Sequence, residues 1–92
     1  MANKKPIKLS EAKILVFLEN AHQSLHFVRK ISSKLSMDYG YTIKILIDMY
    51  EKEWLFRDKS AANPTRTFYH LTKTGIEKLD LAKKIAAELV ED

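Results

Sequence analysis

Apolar side chains recur at three- and four-residue spacing in four stretches of the chain, and two short β-type runs separate the third stretch from the fourth. The first helix is expected to begin with Ser10 as N-cap and Glu11 beside the positive helix end. Its apolar positions are Leu15, Leu18 and the Ile14/Phe17 pair, and it ends near residues 21–23. Ser24, Leu25 and His26 read as a strand of a single bridge. A second helix over about 27–35 carries an apolar stripe of Phe27 or Val28, Ile31 and Leu35, with Arg29, Lys30, Ser33 and Lys34 towards the other side. Ser36-Met37-Asp38 is the turn, with Asp38 capping a third helix over about 39–52. On a 3.6-residue wheel Thr42, Ile45, Leu46 and Met49 share the core face of that helix. Tyr41, Lys44 and Asp48 point away from the core, and Tyr39, Gly40, Ile43, Ile47 and Tyr50 fill a third sector that is apolar for a solvated face.

Residues 54–57 and 67–71 are rich in aromatic and β-branched side chains and predict two strands. The connection between them, 58–66, has no glycine and bends at Asn63-Pro64. The fourth helix is expected over about 73–90, roughly 27 Å at 1.5 Å per residue. Ile76, Leu79, Ala82 or Lys83, Ile85 or Ala86, and Leu89 give it a seam close to a heptad. Helix, turn, helix, hairpin, helix is the order of a winged helix-turn-helix, a mainly α fold with a small β-hairpin (α+β). Residues 1–8 are expected as a flexible basic tail and 9–92 as one winged-helix domain, with the wing over about 54–71.

Ninety-two residues make one domain with a thin core, so a second subunit would add stability. Hydrophobic residues at 46% and charged residues at 30% fit a folded soluble domain. The net charge of +4 shifts the odds slightly towards a polyanion partner. Residues 23–72 hold eight basic and five acidic side chains, whereas 73–92 hold four and five, so the basic excess belongs to the helix-turn-helix and the tail. The absence of cysteine excludes disulfides, thiol chemistry and thiolate zinc sites. The longest apolar run, residues 14–18, is too short to cross a bilayer, and the first ten residues lack the apolar stretch of a signal peptide, so the cytoplasm is the expected location and no membrane partner is expected.

The run Arg66-x-Phe68-Tyr69-x-Leu71-Thr72-x-x-Gly75 resembles the passage from wing to last helix in PadR-like regulators, and MarR-like regulators end the wing with a similar Leu-Thr-x-x-Gly. Residues 41–55 resemble their recognition helix running into the first wing strand. The resemblance covers roughly residues 27–76, and the small size is similar to that of compact archaeal, viral and plasmid regulators. It implies a homodimer on pseudo-palindromic double-stranded DNA, with helix 3 in the major groove and the wing near the minor groove. These families place glycine where Glu53 stands, closing helix 3 in a left-handed turn; here Glu53 adopts that conformation or the helix closes otherwise. Many relatives also carry a denser arginine run in the wing.

Candidate DNA-contacting residues on helix 3 are Tyr39, Gly40, Tyr41, Ile43 and Lys44. Lys44 can donate to guanine or phosphate, the tyrosine hydroxyls can reach phosphates or base edges, Ile43 can pack on a thymine methyl, and Gly40 lets the backbone approach. The alternative is that Tyr39, Ile43, Ile47 and Tyr50 pack on a neighbouring helix or subunit, and for Ile47 and Tyr50 that reading is the better one. Arg57, Lys59 and Arg66 flank the wing tip and can reach phosphates or a narrow minor groove. Arg29, Lys30 and Lys34 on helix 2 suit the DNA backbone and suit a solvated helix face equally. Lys4, Lys5 and Lys8 form an arm on the duplex or a solvated tail.

On the last helix, Ile76, Leu79, Ile85, Ala86, Leu89 and Val90 predict a dimer interface, with packing on helix 1 as the competing use. A two-fold dimer would set two recognition helices about 34 Å apart, one DNA turn. His22, His26 and His70 show no paired ligand spacing and read as structural or surface residues; no metal site or cofactor is implied, and an effector at the dimer junction is conceivable without any residue demanding it. No phosphate loop, nucleophile elbow or His-Glu-x-x-His motif is present, so an enzyme is not expected. The expected function is a sequence-specific transcriptional regulator. The rival readings are a winged-helix module for protein docking, which the Ile43/Ile47/Tyr50 sector suits, and a chromatin-type protein that binds DNA without sequence choice.

Overall fold

The computed structural model describes residues 7–59 and 66–90, and side-chain surroundings as far as residue 87. Lys4, Lys5, the wing-tip segment with Asn63 and Pro64, and the side chains of Leu89 and Val90 lie outside the described residues. The elements are α1 (Leu9–Asn20), α2 (Val28–Leu35), α3 (Tyr39–Glu51), β1 (Leu55–Lys59), β2 (Thr67–Leu71), α4 (Lys73–Glu77) and α5 (Leu79–Val90). The order is that of a winged helix-turn-helix. No helix among the described residues is long and apolar enough to cross a membrane.

α1 begins earlier than Ser10. Lys8 is its N-cap, and the backbone N–H of Lys8 donates to the Glu11 carboxylate at 2.8 Å. The acid three residues on thus satisfies the cap residue's own N–H, while Lys8 offers no side-chain cap to the helix. Ile7, just before it, is buried in the core, so packing reaches into the stretch expected as tail. The core faces of α1 and α3 are as the periodicity predicts: Ile14, Leu15 and Leu18 from α1, and Thr42, Ile45, Leu46 and Met49 from α3, are all buried. Burial of the apolar ones among them is worth about 1.5–3 kcal/mol each.

The turn between α2 and α3 rests on Ser36 at φ 54°, a left-handed position held without glycine. The N–H of Met37 donates to the Ser32 carbonyl at 2.9 Å, closing α2. Asp38 then caps α3 as predicted, its carboxylate accepting from the Tyr41 N–H at 2.9 Å. α3 closes through Glu53 at φ 67°. A glutamate therefore adopts the left-handed geometry that glycine takes most readily.

β1 and β2 pair antiparallel from Leu55↔Leu71 to Lys59↔Thr67, so Phe56, Asp58, Phe68 and His70 share one face of the ribbon. β1 starts one residue after the expected run and continues two further. Residues 23–25 form a 3₁₀ turn, not a strand; the single bridge falls one step later, between Phe27 and Phe68, and the Tyr69 N–H donates to the His26 carbonyl at 2.8 Å.

The last helix is interrupted. Lys78 sits between α4 and α5 at ψ −8°, and its N–H is shared by the carbonyls of Thr74 and Gly75. The Leu-Thr-x-x-Gly run is built into this junction. Thr72 Oγ1 accepts from the Gly75 N–H at 3.0 Å and donates to the Glu53 carbonyl at 2.6 Å, while the Thr72 N–H reaches the Trp54 carbonyl. A β-carbon at Gly75 would overlap that same Trp54 carbonyl oxygen. The motif glycine answers a close approach of two backbones, not a left-handed turn. α5 lies along α1, with Leu79 and Ala82 buried in the shared core.

Candidate nucleic-acid interface

The outward flank of α3 is set by its cap. Asp38 fixes the first turn, and core burial of Thr42, Ile45 and Leu46 directs Tyr39, Gly40, Tyr41 and Lys44 to the surface. Tyr39 and Tyr41 are 50% and 48% exposed, high for aromatic side chains in a chain this short of core. The Tyr41 hydroxyl lies 3.4 Å from Ser10 Oγ at the start of α1. Ile43 and Ile47 are half-buried, so the third sector is partly taken up within the fold. Gly40 has ordinary helical backbone, and a β-carbon there would meet nothing closer than the Asp38 carboxylate at 3.4 Å. The fold itself does not require glycine at this position, although glycine costs helix stability.

A groove of about 370 Å³ runs between α2, α3 and the wing, lined by Phe27, Val28, Arg29, Tyr39, Arg66 and Thr67. Phe27 is the N-cap of α2 and gives no side-chain acceptor to the helix. The first N–H groups of α2 therefore open at the edge of this groove, where a helix end favours anions. Arg66 is held there by a cation–π stack, its guanidinium carbon 4.2 Å from the centre of the Phe27 ring. Arg57 is held the same way on the other side of the wing, 4.1 Å from the Tyr50 ring. Tyr50 thus serves as a platform for a wing arginine, a use that helix periodicity does not signal. Arg29, Lys34, Lys44 and Lys59 are exposed and Lys30 is half-exposed.

The structure brings Tyr39, Arg29 and Arg66 around one groove. It places Tyr41 on the opposite side of α3, against a shallow hollow lined by Lys8, Leu9, Ser10, Lys13 and Met37. Lys8 and Lys13 thereby extend the basic surface past α3; Lys13, on a helix assigned to the core, carried no sequence signal. Among the C-terminal positions, Ile76 is 56% exposed, whereas Leu79 packs into the core of its own chain, the competing use that the sequence also allowed. Ile85 and Ala86 are half-buried, Ile85 against that core.

Two ionisable clusters lie behind this surface. Glu11 is buried, and Lys52 reaches it at 2.6 Å and Asp48 at 3.1 Å. Burial pulls the Lys52 ammonium down, but the hydrogen bonds to Glu11 and Asp48 outweigh this and raise it above its usual value. The hydrogen bond from Lys52 in turn holds the Asp48 carboxyl below its usual value. Among the histidines, His26 is buried, not a surface residue. Its Nδ1 lies 2.9 Å from His70 Nδ1 and its Nε2 lies 3.0 Å from the Ala21 carbonyl. Burial lowers its pKa, partly offset by the Ala21 hydrogen bond. No group of three or more His, Asp or Glu side chains among the described residues is placed to hold a metal ion.

No family model matches the chain, and no curated protein sequence does. Solved structures match it closely in shape. The Staphylococcus aureus MepR–DNA complex superposes with a TM-score of 0.75 at 20% identity, over 92% of this chain and 68% of that one. A MarR transcriptional regulator from Methanosarcina mazei Go1 gives 0.77 at 22% identity, over 94% and 60%. AbsC, a MarR family transcriptional regulator from Streptomyces coelicolor, gives 0.76 at 16% identity, over 88% and 55%. The chain spans about 55–68% of the length of these neighbours. The structural neighbours are MarR-type winged-helix regulators, and the fold is theirs.

Proposed function

We propose that the chain binds double-stranded DNA through the amino-terminal half of α3 and the wing, as a homodimeric transcriptional regulator. The observation that carries this reading is the groove at which Tyr39, Arg29, the stacked Arg66 and the open end of α2 converge beside the exposed flank of α3. Its chemistry suits a phosphate backbone: two guanidinium groups, a phenol and helix-end N–H donors that the N-cap side chain does not bond, on one concave edge. Tyr41, Lys44 and the backbone at Gly40 then face the bases, with Ile43 at the margin of the contact. Arg57 and Lys59 extend the contact along the wing, and Lys30 and Lys34 along α2.

MepR, which shares this fold, was solved with DNA, and the other neighbours are described as transcriptional regulators. Dimerisation through Ile76 and the far end of α5 completes the reading, with the cytoplasm as its location. No enzymatic step and no cofactor enter it.

The test is selection of bound duplexes from a random pool, followed by retardation assays over a salt series. A palindromic consensus and a steep salt dependence are expected. Lys44→Ala should blur sequence preference, and Arg66→Ala should weaken all duplexes and reduce the salt slope by about one. A salt slope without a preferred sequence supports the chromatin-type alternative. Unchanged residual affinity in both variants sinks the DNA reading and favours protein docking.

A further inference from the structure

The His26–His70 contact ties the wing to the corner between α1 and α2, and its hydrogen count is fixed by its neighbours. The Ala21 carbonyl can only accept, so His26 Nε2 carries hydrogen. Neutral His26 then presents a lone pair at Nδ1, and the short contact to His70 requires the hydrogen to sit on His70 Nδ1. The second ring nitrogen of His70 faces Asp58, with Nε2 3.7 Å from Oδ2. One added proton has a natural place there, as an N–H directed at the carboxylate. A second proton does not. It would have to enter at His26 Nδ1, where two N–H groups would oppose each other across 2.9 Å on two cationic rings.

We propose that His26 and His70 form a proton-operated latch that fixes the pose of the wing on the helix-turn-helix, closed with none or one added proton and open with two. The groups facing the pair come from every side. Asp58 and Phe56 approach from β1, Phe68 from β2, and Phe17 from α1. Arg66 and His22 line the groove that His70 enters, and His22 adds a second repulsion against charging His26. The mechanical link is short: the His26 carbonyl holds the Tyr69 N–H at 2.8 Å, and Phe27 bridges Phe68. Losing the ring-to-ring bond removes the side-chain half of this attachment and leaves two charges pushing the wing base from the corner. If the wing contacts duplex as proposed above, DNA binding acquires a pH profile from residues that touch no DNA.

The test reads the ring nitrogens of the whole chain by long-range proton–nitrogen NMR between about pH 8 and 4.5, spanning imidazole titration. At the alkaline end, His26 is expected to be protonated at Nε2 and His70 at Nδ1. The Tyr69 amide resonance should stay in place during the first ring protonation and move with the second. These measurements use the unaltered protein, so they hold whether or not a variant folds. In parallel, affinity for a mixed-sequence duplex should fall about tenfold further across the second protonation than it does for His70→Phe, the factor that corresponds to one pKa unit of linkage. A His26 ring protonated at Nδ1 at the alkaline end, or a Tyr69 amide indifferent to both steps, overturns the latch. The expected ring pattern and Tyr69 response, with no duplex binding at any pH, support the latch and overturn the DNA reading instead.

Discussion

The Lys52 ammonium lies 2.6 Å from the Glu11 carboxylate and joins the end of α3 to the start of α1. The two ends differ: the Glu11 side chain is 1% exposed and that of Lys52 is 37% exposed. Lys52→Met strands a buried carboxylate and should cost about 3–5 kcal/mol. Glu11→Gln keeps a hydrogen-bonding side chain and leaves Lys52 free to turn to Asp48 and water, so about 1–2 kcal/mol is expected. Urea unfolding of both variants checks the order; a larger loss in Glu11→Gln would contradict it.

Gly75 and Glu53 should respond in opposite directions. Gly75→Ala forces a β-carbon into the Trp54 carbonyl and should destabilise by about 1–3 kcal/mol, as overpacking does. Glu53→Gly relieves a left-handed glutamate at φ 67° and should stabilise by about 1 kcal/mol. Thermal melts at one pH compare them directly.

Gly40→Ala separates stability from binding. The helix should gain about 0.5–1 kcal/mol, because nothing in the fold crowds the new methyl group. Duplex affinity should fall if the backbone there approaches DNA. A stabilised variant with undiminished retardation would remove Gly40 from the contact surface.

Arg66→Lys keeps the charge and loses the planar stack on Phe27. Affinity should drop nearly as far as in Arg66→Ala, with the salt slope retained. Full affinity in the lysine variant would show that charge alone matters.

The lowered pKa of His26 fixes a pH trend in stability. The folded ring resists protonation below its ordinary value of 6.5, while the unfolded ring accepts it. Its contribution is complete above pH 6.5 and is lost as pH falls through the folded value. Denaturant midpoints should therefore decline on acidification below that point, and His26→Asn should flatten the decline.

Much of this architecture was legible in the chain. The 3.6-residue period put Thr42, Ile45, Leu46 and Met49 in the core because a helix has one buried stripe, and Asp38 marked its start because its carboxylate accepts a backbone N–H locally. Boundaries set by distant partners were hidden. Ser10 has the chemistry of an N-cap, yet the helix starts two residues earlier, where Glu11, also bonded to Lys52, accepts the N–H of the N-cap Lys8. The seam of residues 73–90 ran through Lys78 without a break, whereas the helix is interrupted there, with the Lys78 N–H shared by the Thr74 and Gly75 carbonyls. Charge and exposure pointed to Arg66 and Lys44, but the Phe27 and Tyr50 platforms join residues far apart in sequence, and so does the His26–His70 pair.

Trp54 is the chain's single tryptophan, and it is buried where α3, the ribbon and α4 meet. Lys52 and Lys78 stand 4.4 Å and 5.5 Å from its ring. One indole therefore sits in contact range of three elements and of two ammonium groups. Its fluorescence gives a built-in optical gauge of whether the wing stays seated, readable at micromolar concentration without any attached dye.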